Sequence, residues 1–400
     1  MISNRRGAFV AAIATLALGL SACGGDGGNA DDAGDKNAPI KIGIIADLTG
    51  GTGDVGAPYN EGMLAYIDYR NAKGGVADHK IEPLSNDYAY EVPKAEQLYK
   101  QYVNDGVVAV QGWGTGDTEA LHTKVASDEL PFMSGSFAES LTDPKEAPYN
   151  FVVAPTYSDQ MRIALNWISE DAGGKAEVAV FHNDSPFGQA PVADGEAWIK
   201  EKSLDLGYKA YPMPKGANYV GLLSQAQSQG AKYVVIQNVA SPAAQVAKDI
   251  KAQGLDMKIV CLNWCGNELF ITTAGADAAE GHMLIQPFAP ISAEKEGHKE
   301  LTEYLESKNE DPATKGTSWV QGWMVMHVMA EGMEKAAESG EIEGPAIREA
   351  LETMGGIDTG GVVGDGTVEF TKESHRGSTS AGIYQAKDGK MVEIEAGATP

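Results

Sequence analysis

Only 3 cysteines stand in 400 residues, which excludes a disulfide-stapled scaffold and leaves the fold to an apolar core. Positive charge is also scarce: 31 Lys and Arg face 56 Asp and Glu, a formal net charge of −25. Nucleic acid and anionic lipid are poor partners for such a surface. Beyond residue 20 no stretch approaches the roughly 18 apolar residues of a membrane-crossing helix, so any conducting path belongs to another chain. Catalytic signatures are missing as well. There is no GxSxG elbow, no HExxH pair and no GxxxxGK[ST] loop, and the 7 histidines are scattered without ligand spacing. Carboxylates are so abundant that some pair always has acid–base spacing, so their number carries no catalytic weight. The chain reads as a binder, not an enzyme, with no metal and no cofactor.

What is present begins at the N-terminus. Arg5 and Arg6 precede an apolar stretch from Ala8 to Leu20, the pattern of a secretory signal occupying 1–22. The stretch is shorter than the about 20 residues that span a bilayer. It ends in Leu20-Ser21-Ala22-Cys23, which resembles the lipobox of bacterial lipoproteins. That likeness implies lipidation at Cys23 and a protein held to the membrane on the periplasmic or outer side, since two or more acyl chains anchor stably. Residues 23–39 are mostly Gly, Asp, Asn and Ala without apolar periodicity and read as a disordered tether. The remaining Cys261 and Cys265 belong to an exported chain and are expected to pair in a small-loop disulfide.

At 400 residues two domains with separate cores are expected. From residue 40 onward β-rich runs at 40–46, 80–86, 107–111, 178–182, 233–238 and 258–262 alternate with helical patterns. Between the second and third runs, Val92, Ala95, Leu98, Tyr99, Tyr102 and Val103 recur at helical spacing. Such alternation gives parallel sheets with helical crossovers. A segment near 150–156 separates two series, so two α/β lobes are expected, with long helices near 293–307 and 319–337. Open parallel sheets hold ligands beyond the C-terminal strand ends. In the first such loop, residues 51–56 form a literal GxGxxG, but residues 47–50 lengthen a turn that must be tight to seat a pyrophosphate. A flexible Gly-rich rim is expected there, not a dinucleotide site.

Three other loops carry better chemistry. Trp113, Gly114 and Thr115 follow the third strand and open a helix, where free backbone N–H groups beside a hydroxyl suit a carboxylate or another acceptor. Gly135, Ser136 and Phe137 follow the fourth strand. Asn263 and Trp264 follow the strand at 258–262.

The segments Asn71-Ala72-Lys73-Gly74-Gly75-Val76, Val103-Asn104-Asp105-Gly106 and Ala274-Gly275-Ala276-Asp277-Ala278-Ala279-Glu280-Gly281 resemble, in order, segments of the leucine/isoleucine/valine-binding protein family. The likeness runs from residue 40 to near 385. It implies a type I periplasmic-binding fold: α/β, two doubly wound parallel-sheet lobes joined by a three-crossover hinge. Lobe 1 is expected at 40–153 with a return at 287–356, and lobe 2 at 154–286 with a hinge crossover and terminal strands in 357–400. The likeness further implies a monomer that carries a small-molecule solute to a branched-chain-amino-acid-type ABC permease. The alternative is a ligand-sensing lobe of a membrane signalling system. Carried over residue by residue, the family's carboxylate-binding loop falls on Gly114, Thr115 and Gly116 and its second polar loop on Gly135, Ser136 and Phe137. The second-lobe aromatic falls near Phe187, with Tyr157 a further cleft candidate. The family's paired tyrosines become Val239, Ala240 and Ser241, and its ammonium-binding acid aligns with Asn263. Without that carboxylate the charge-assisted contact to an amino acid is missing, so an amide or an aromatic or apolar carboxylate is expected to bind more tightly than leucine.

The lipobox generates a first prediction. Cys23→Ser is expected to release the protein from the membrane fraction or stall its processing, with solute binding by the soluble domain unchanged; fractionation followed by immunoblotting reads it, and a variant still cleaved at residue 23 and membrane-bound would refute it.

Overall fold

The computed structural model describes residues 38–216 and 218–400. The signal segment, Cys23 and nearly all of the tether lie outside the described residues. The first sheet is formed by β1 (Ile40–Ala46), β2 (Ile81–Asp87), β3 (Ala109–Gly112), β4 (Phe132–Ser134) and β5 (Asn150–Phe151), in the order β2-β1-β3-β4-β5. All its pairings are parallel. Its crossovers are α1 (Gly53–Ala72), α2 (Val92–Asp105) and α3 (Thr115–Ser127). The periodic face read from the sequence is the one that packs, with Ala95, Tyr99 and Tyr102 of α2 buried.

The chain then passes through 152–156 into α4 (Tyr157–Asp171), which a Thr156–Asp159 capping box starts. Both first-turn donors are thereby satisfied reciprocally. The second series follows: β6 (Ala176–Asn183), α5 (Pro186–Gln189), α6 (Val192–Lys202), β7 (Leu206–Met213), α7 (Val220–Ser228), β8 (Tyr233–Gln237), α8 (Ala240–Gln253), β9 (Lys258–Cys261), α9 (Glu268–Ala274), α10 (Ala276–Ala279) and β10 (Met283–Gln286). A second passage leads to α11 (His298–Ser307), α12 (Thr317–Ala337), α13 (Gly344–Thr353) and a small ribbon of β11 (Ile357–Asp358) with β12 (Thr367–Val368). A third returns the chain to β13 (Ala381–Lys387) and β14 (Lys390–Ala398), which add antiparallel strands to the second sheet. Its order is β14-β13-β10-β9-β8-β6-β7.

These are two doubly wound sheets with three connecting passages, the fold class expected from the sequence. The strand runs at 40–46, 233–238 and 258–262 lie within a residue of β1, β8 and β9. Strands such as β8 are buried at every residue, because helices cover both faces of a parallel sheet. β14 is the edge strand, largely exposed with Glu393 and Glu395 along it, which protects an unpaired edge against adventitious pairing.

Where α1 and α12 cross, their backbones nearly touch. A β-carbon on Gly62 would strike the Trp319 carbonyl oxygen, and one on Gly322 would strike the Tyr59 carbonyl oxygen. Alanine favours a helix over glycine by about 1 kcal/mol, but here it forces two helices apart, and overpacking costs roughly 1–3 kcal/mol. Gly62→Ala and Gly322→Ala are each expected to lower stability by up to about 2 kcal/mol after this offset, read as a reduced denaturation midpoint; a raised midpoint for either would refute the close crossing.

Candidate functional site

The topology decides where a site forms. In the first sheet β1 has β2 on one side and β3 on the other, and in the second β6 lies between β7 and β8. Strand order reverses at these points, and a doubly wound sheet opens its ligand crevice there, beyond the strand C-termini. The loops after β1 and β3 supply Thr52, Trp113 and Gly114, and those after β6 and β8 supply Phe187 and Val239; all five line one cavity. Tyr90, Thr115, Gly135, Tyr157 and Trp264 complete its wall. The space free of protein atoms among these residues, open solvent included, is about 210 Å³.

The wall is held from behind. Asp47, fully buried, accepts hydrogen bonds from Gly50 N at 2.7 Å and from Thr52 N and Oγ1 at 3.0 and 2.6 Å. The Gly-rich rim is therefore pinned, not flexible. Thr52 Oγ1 in turn accepts from Trp113 Nε1 at 2.8 Å, so one buried carboxylate orients an indole through a hydroxyl. Thr115 Oγ1 and Ser136 Oγ lie 2.7 Å apart, joining the loops after β3 and β4.

Across the cavity the two halves meet on one oxygen. Trp264 Nε1 and Tyr157 Oη, both from the second series, each donate to the Gly135 carbonyl at 3.1 Å. A carbonyl has two lone-pair directions, and both are taken. Tyr157 N also donates to the Phe137 carbonyl at 2.7 Å, and Ser241 N donates to Asp54 at 3.0 Å. Aromatic rings fill in around these bonds: Trp264 lies 4.6 Å from Trp113 and 5.8 Å from Tyr59, and stacks on Phe137 at 5.9 Å. Tyr157 stands 5.4 Å from Phe187. Beside the connecting passages, Arg162 and Arg376 each pair with both Glu139 and Asp159.

Among the residues expected from the sequence, Trp113, Gly114, Thr115, Gly135, Tyr157 and Phe187 line the cavity. Ser136 stands behind Thr115 as its hydroxyl partner, and Phe137 backs Trp264. Asn263 does not reach the wall. It is fully buried, and its side-chain amide pairs reciprocally with Gln321 at 3.2 and 3.0 Å, so both of its polar atoms are engaged within the protein. The expected disulfide is also corrected. Cys261 and Cys265 are free, buried thiols, and Cys265 Sγ donates to the Ile236 carbonyl at 3.2 Å, which gives the sulfur a partner within the core. Burial raises the Cys261 thiol well above its ordinary pKa, which leaves it unreactive. Thr52, Tyr90 and Val239 were missed. Position relative to the strand-order reversal was the signal that could have found Thr52 and Val239, but strand order is not written in a single sequence.

Asp117, in the first turn of α3, is 1% exposed. Its Oδ1 accepts from Tyr88 Oη at 2.8 Å, and no cation pairs with it among the described residues. Burial pushes its carboxyl up to about 7, and nearby Asp47 adds to the effect. Burial likewise keeps Tyr88, Tyr90 and Tyr157 protonated. The cavity wall is thus rich in neutral donors and rings and poor in fixed charge.

A cavity between two doubly wound sheets, built from loops of both, defines a two-lobed binding protein. A family model described as periplasmic binding protein matches residues 39–390, and the chain belongs to that family. A leucine-, isoleucine-, valine-, threonine- and alanine-binding protein of Pseudomonas aeruginosa is 25% identical over 316 residues, which cover 78% of this chain and 82% of the relative. Among solved structures, a branched-chain amino acid ABC transporter protein from Thermus thermophilus with bound valine superposes with a TM-score of 0.86 at 25% identity, covering 91% of this chain and 97% of that one. A fatty acid ABC transporter substrate-binding protein from Thermomonospora curvata shares the fold, with a TM-score of 0.80 at 20% identity over 91% of this chain and 95% of its own.

Asp117 makes stability depend on pH in a defined direction. Its folded pKa lies above the unfolded carboxylate value, so its contribution is intact below about pH 4 and is lost as pH rises toward 7, where the folded group ionises. Asp117→Asn is expected to leave stability near its original value at pH 4 and to raise it at pH 8, by at most about 4 kcal/mol. Denaturant melts at the two pH values check this, and an equal effect at both would refute it.

Proposed function

We propose that the protein is the lipid-anchored, extracytoplasmic solute-binding component of an ABC importer and that its ligand is a small carboxylate or amide with a compact apolar or aromatic body. The observation that carries the reading is the division of labour in the cavity wall. At Thr115 the start of α3 supplies a backbone N–H and a hydroxyl shared with Ser136, beside a Gly114 N–H turned to the Asp117 carboxyl, with the helix dipole favouring an acceptor or an anion. The rest of the wall is mostly aromatic, suited to a flat or compact apolar body.

Acceptors for an α-ammonium group are few. The Gly135 carbonyl is taken by Trp264 and Tyr157, and the Asn263 amide by Gln321. A buried ammonium lacking a partner would bear a desolvation cost of several kcal/mol. The names of the Pseudomonas and Thermus relatives support a solute of amino-acid size, and the wall supports one without their charge pattern.

A thermal-shift screen of small carboxylates, amides and aliphatic amino acids, followed by calorimetry, tests the proposal. At 100 times the dissociation constant a ligand adds about 2.7 kcal/mol of stability. Thr115→Ala is expected to weaken the best carboxylate or amide by about 1–3 kcal/mol, the cost of a lost buried hydrogen bond. Leucine, isoleucine or valine binding more tightly than every member of the panel, with affinity lost in Asp117→Asn, would overturn it and assign the ammonium contact to Asp117.

A further inference from the structure

Resting on the solute class proposed above, we infer that Trp264 sets the length of solute that the cavity accepts, by holding its indole in space that a longer chain would need. Trp264 follows β9, not one of the strands at the reversal, yet its ring reaches three rings of the first series: Trp113, Tyr59 and Phe137. It is 3% exposed, so nearly the whole indole is packed against protein.

Two observations distinguish a fixed wall from a swinging gate. First, the indole N–H is bonded at both the Gly135 carbonyl and Tyr157 Oη, at 3.1 and 3.0 Å. Turning the ring away would strand a buried donor, which is unfavourable. Second, its backbone is tied on several sides. Asn263 N donates to Gln160 Oε1 at 3.0 Å, Gln286 Nε2 donates to the Asn263 and Gly266 carbonyls at 3.2 and 3.0 Å, and Asn267 Nδ2 donates to the Trp264 carbonyl at 3.1 Å. Side-chain networks of this kind, when fully satisfied, rigidify what they hold. The amide network around Asn263 thus positions the ring without touching solute.

The consequence is a size limit. Each methylene buried by a solute should tighten binding about fourfold, until the chain meets the indole and the gain stops. Removing the ring moves the stop to a longer chain and leaves the end at Gly114 and Thr115 alone.

The experiment measures dissociation constants of unbranched carboxylates and their primary amides, from two to ten carbons, for the wild type, Trp264→Phe, Trp264→Ala and Thr115→Ala. Wild type should peak at a short member, Trp264→Ala should continue to gain about fourfold per carbon past that point, and Trp264→Phe should fall between. Thr115→Ala should weaken all members without moving the peak. A peak at the same length in every variant, with affinities lowered uniformly, would mean that Trp264 is only a packing residue. Should Trp264→Ala not fold, Trp264→Phe carries the same comparison. If no carboxylate or amide binds any form, the proposed solute class fails, and free indole decides the question of size alone. A saturable rise in melting temperature with indole in a Trp264 variant, absent in wild type, upholds the space claim, and no rise in either overturns it.

Discussion

The site depends on one topological constraint, the reversal of strand order next to β1 and next to β6. A parallel sheet covered by helices on both faces has no room for a ligand except where crossovers depart to opposite sides. Each sheet here has one such place, and the two open toward one another. That is why loops distant in sequence, after residues 46, 112, 183 and 237, come to one cavity. Three passages of chain join the sheets, so neither set of loops is fixed relative to the other by a rigid element. The Glu139, Asp159, Arg162 and Arg376 ion pairs beside those passages include an almost fully buried carboxylate, Asp159. Removal of one partner there is costly because it leaves a buried charge uncompensated.

Much of this architecture was legible from the sequence, and the reason is period. β1, β8 and β9 are short β-rich runs bounded by turn residues, and α2 shows its buried face at spacings of three and four. Both are local patterns, and neither depends on what lies across the fold. β13 and β14 were expected only as terminal strands within 357–400, from the resemblance, although Val392-Glu393-Ile394-Glu395-Ala396 alternates apolar and acidic residues. The cavity was half legible. Gly114, Thr115 and Gly135 announce themselves as loops after strands, but which other loops join them follows from strand order, a tertiary property.

Two readings of the segment 261–265 are corrected by the structure. Cys261 and Cys265 have the spacing of a small-loop bridge, and Asn263 aligns with an acid that meets ligand in the resembled family. For Asn263, position in the alignment was read as direction in space. The backbone between 261 and 266 turns on hydrogen bonds from Cys265 N and Gly266 N to the Leu262 carbonyl. That turn sends Asn263 toward Gln321 and Trp264 into the cavity. A single residue's step along a tight turn exchanges an amide for an indole at the wall.

That exchange bears on how far a ligand can be inferred from likeness. Proteins that share this fold carry, by their names, substrates as different as valine and fatty acids, so the sheets and their reversal points do not select a solute. Selection rests on the few atoms left unpaired at the wall once the fold has satisfied its own. Here the Gly135 carbonyl between the halves is saturated by Trp264 and Tyr157, and Asp117 is buried behind Gly114 with Tyr88 as the donor to one of its oxygens. What remains are N–H groups, a hydroxyl and aromatic faces. A wall of that kind rewards a ligand for bringing acceptors and apolar surface and penalises one that brings an ammonium, because the Gly135 carbonyl is engaged and burial disfavours the charged form of Asp117.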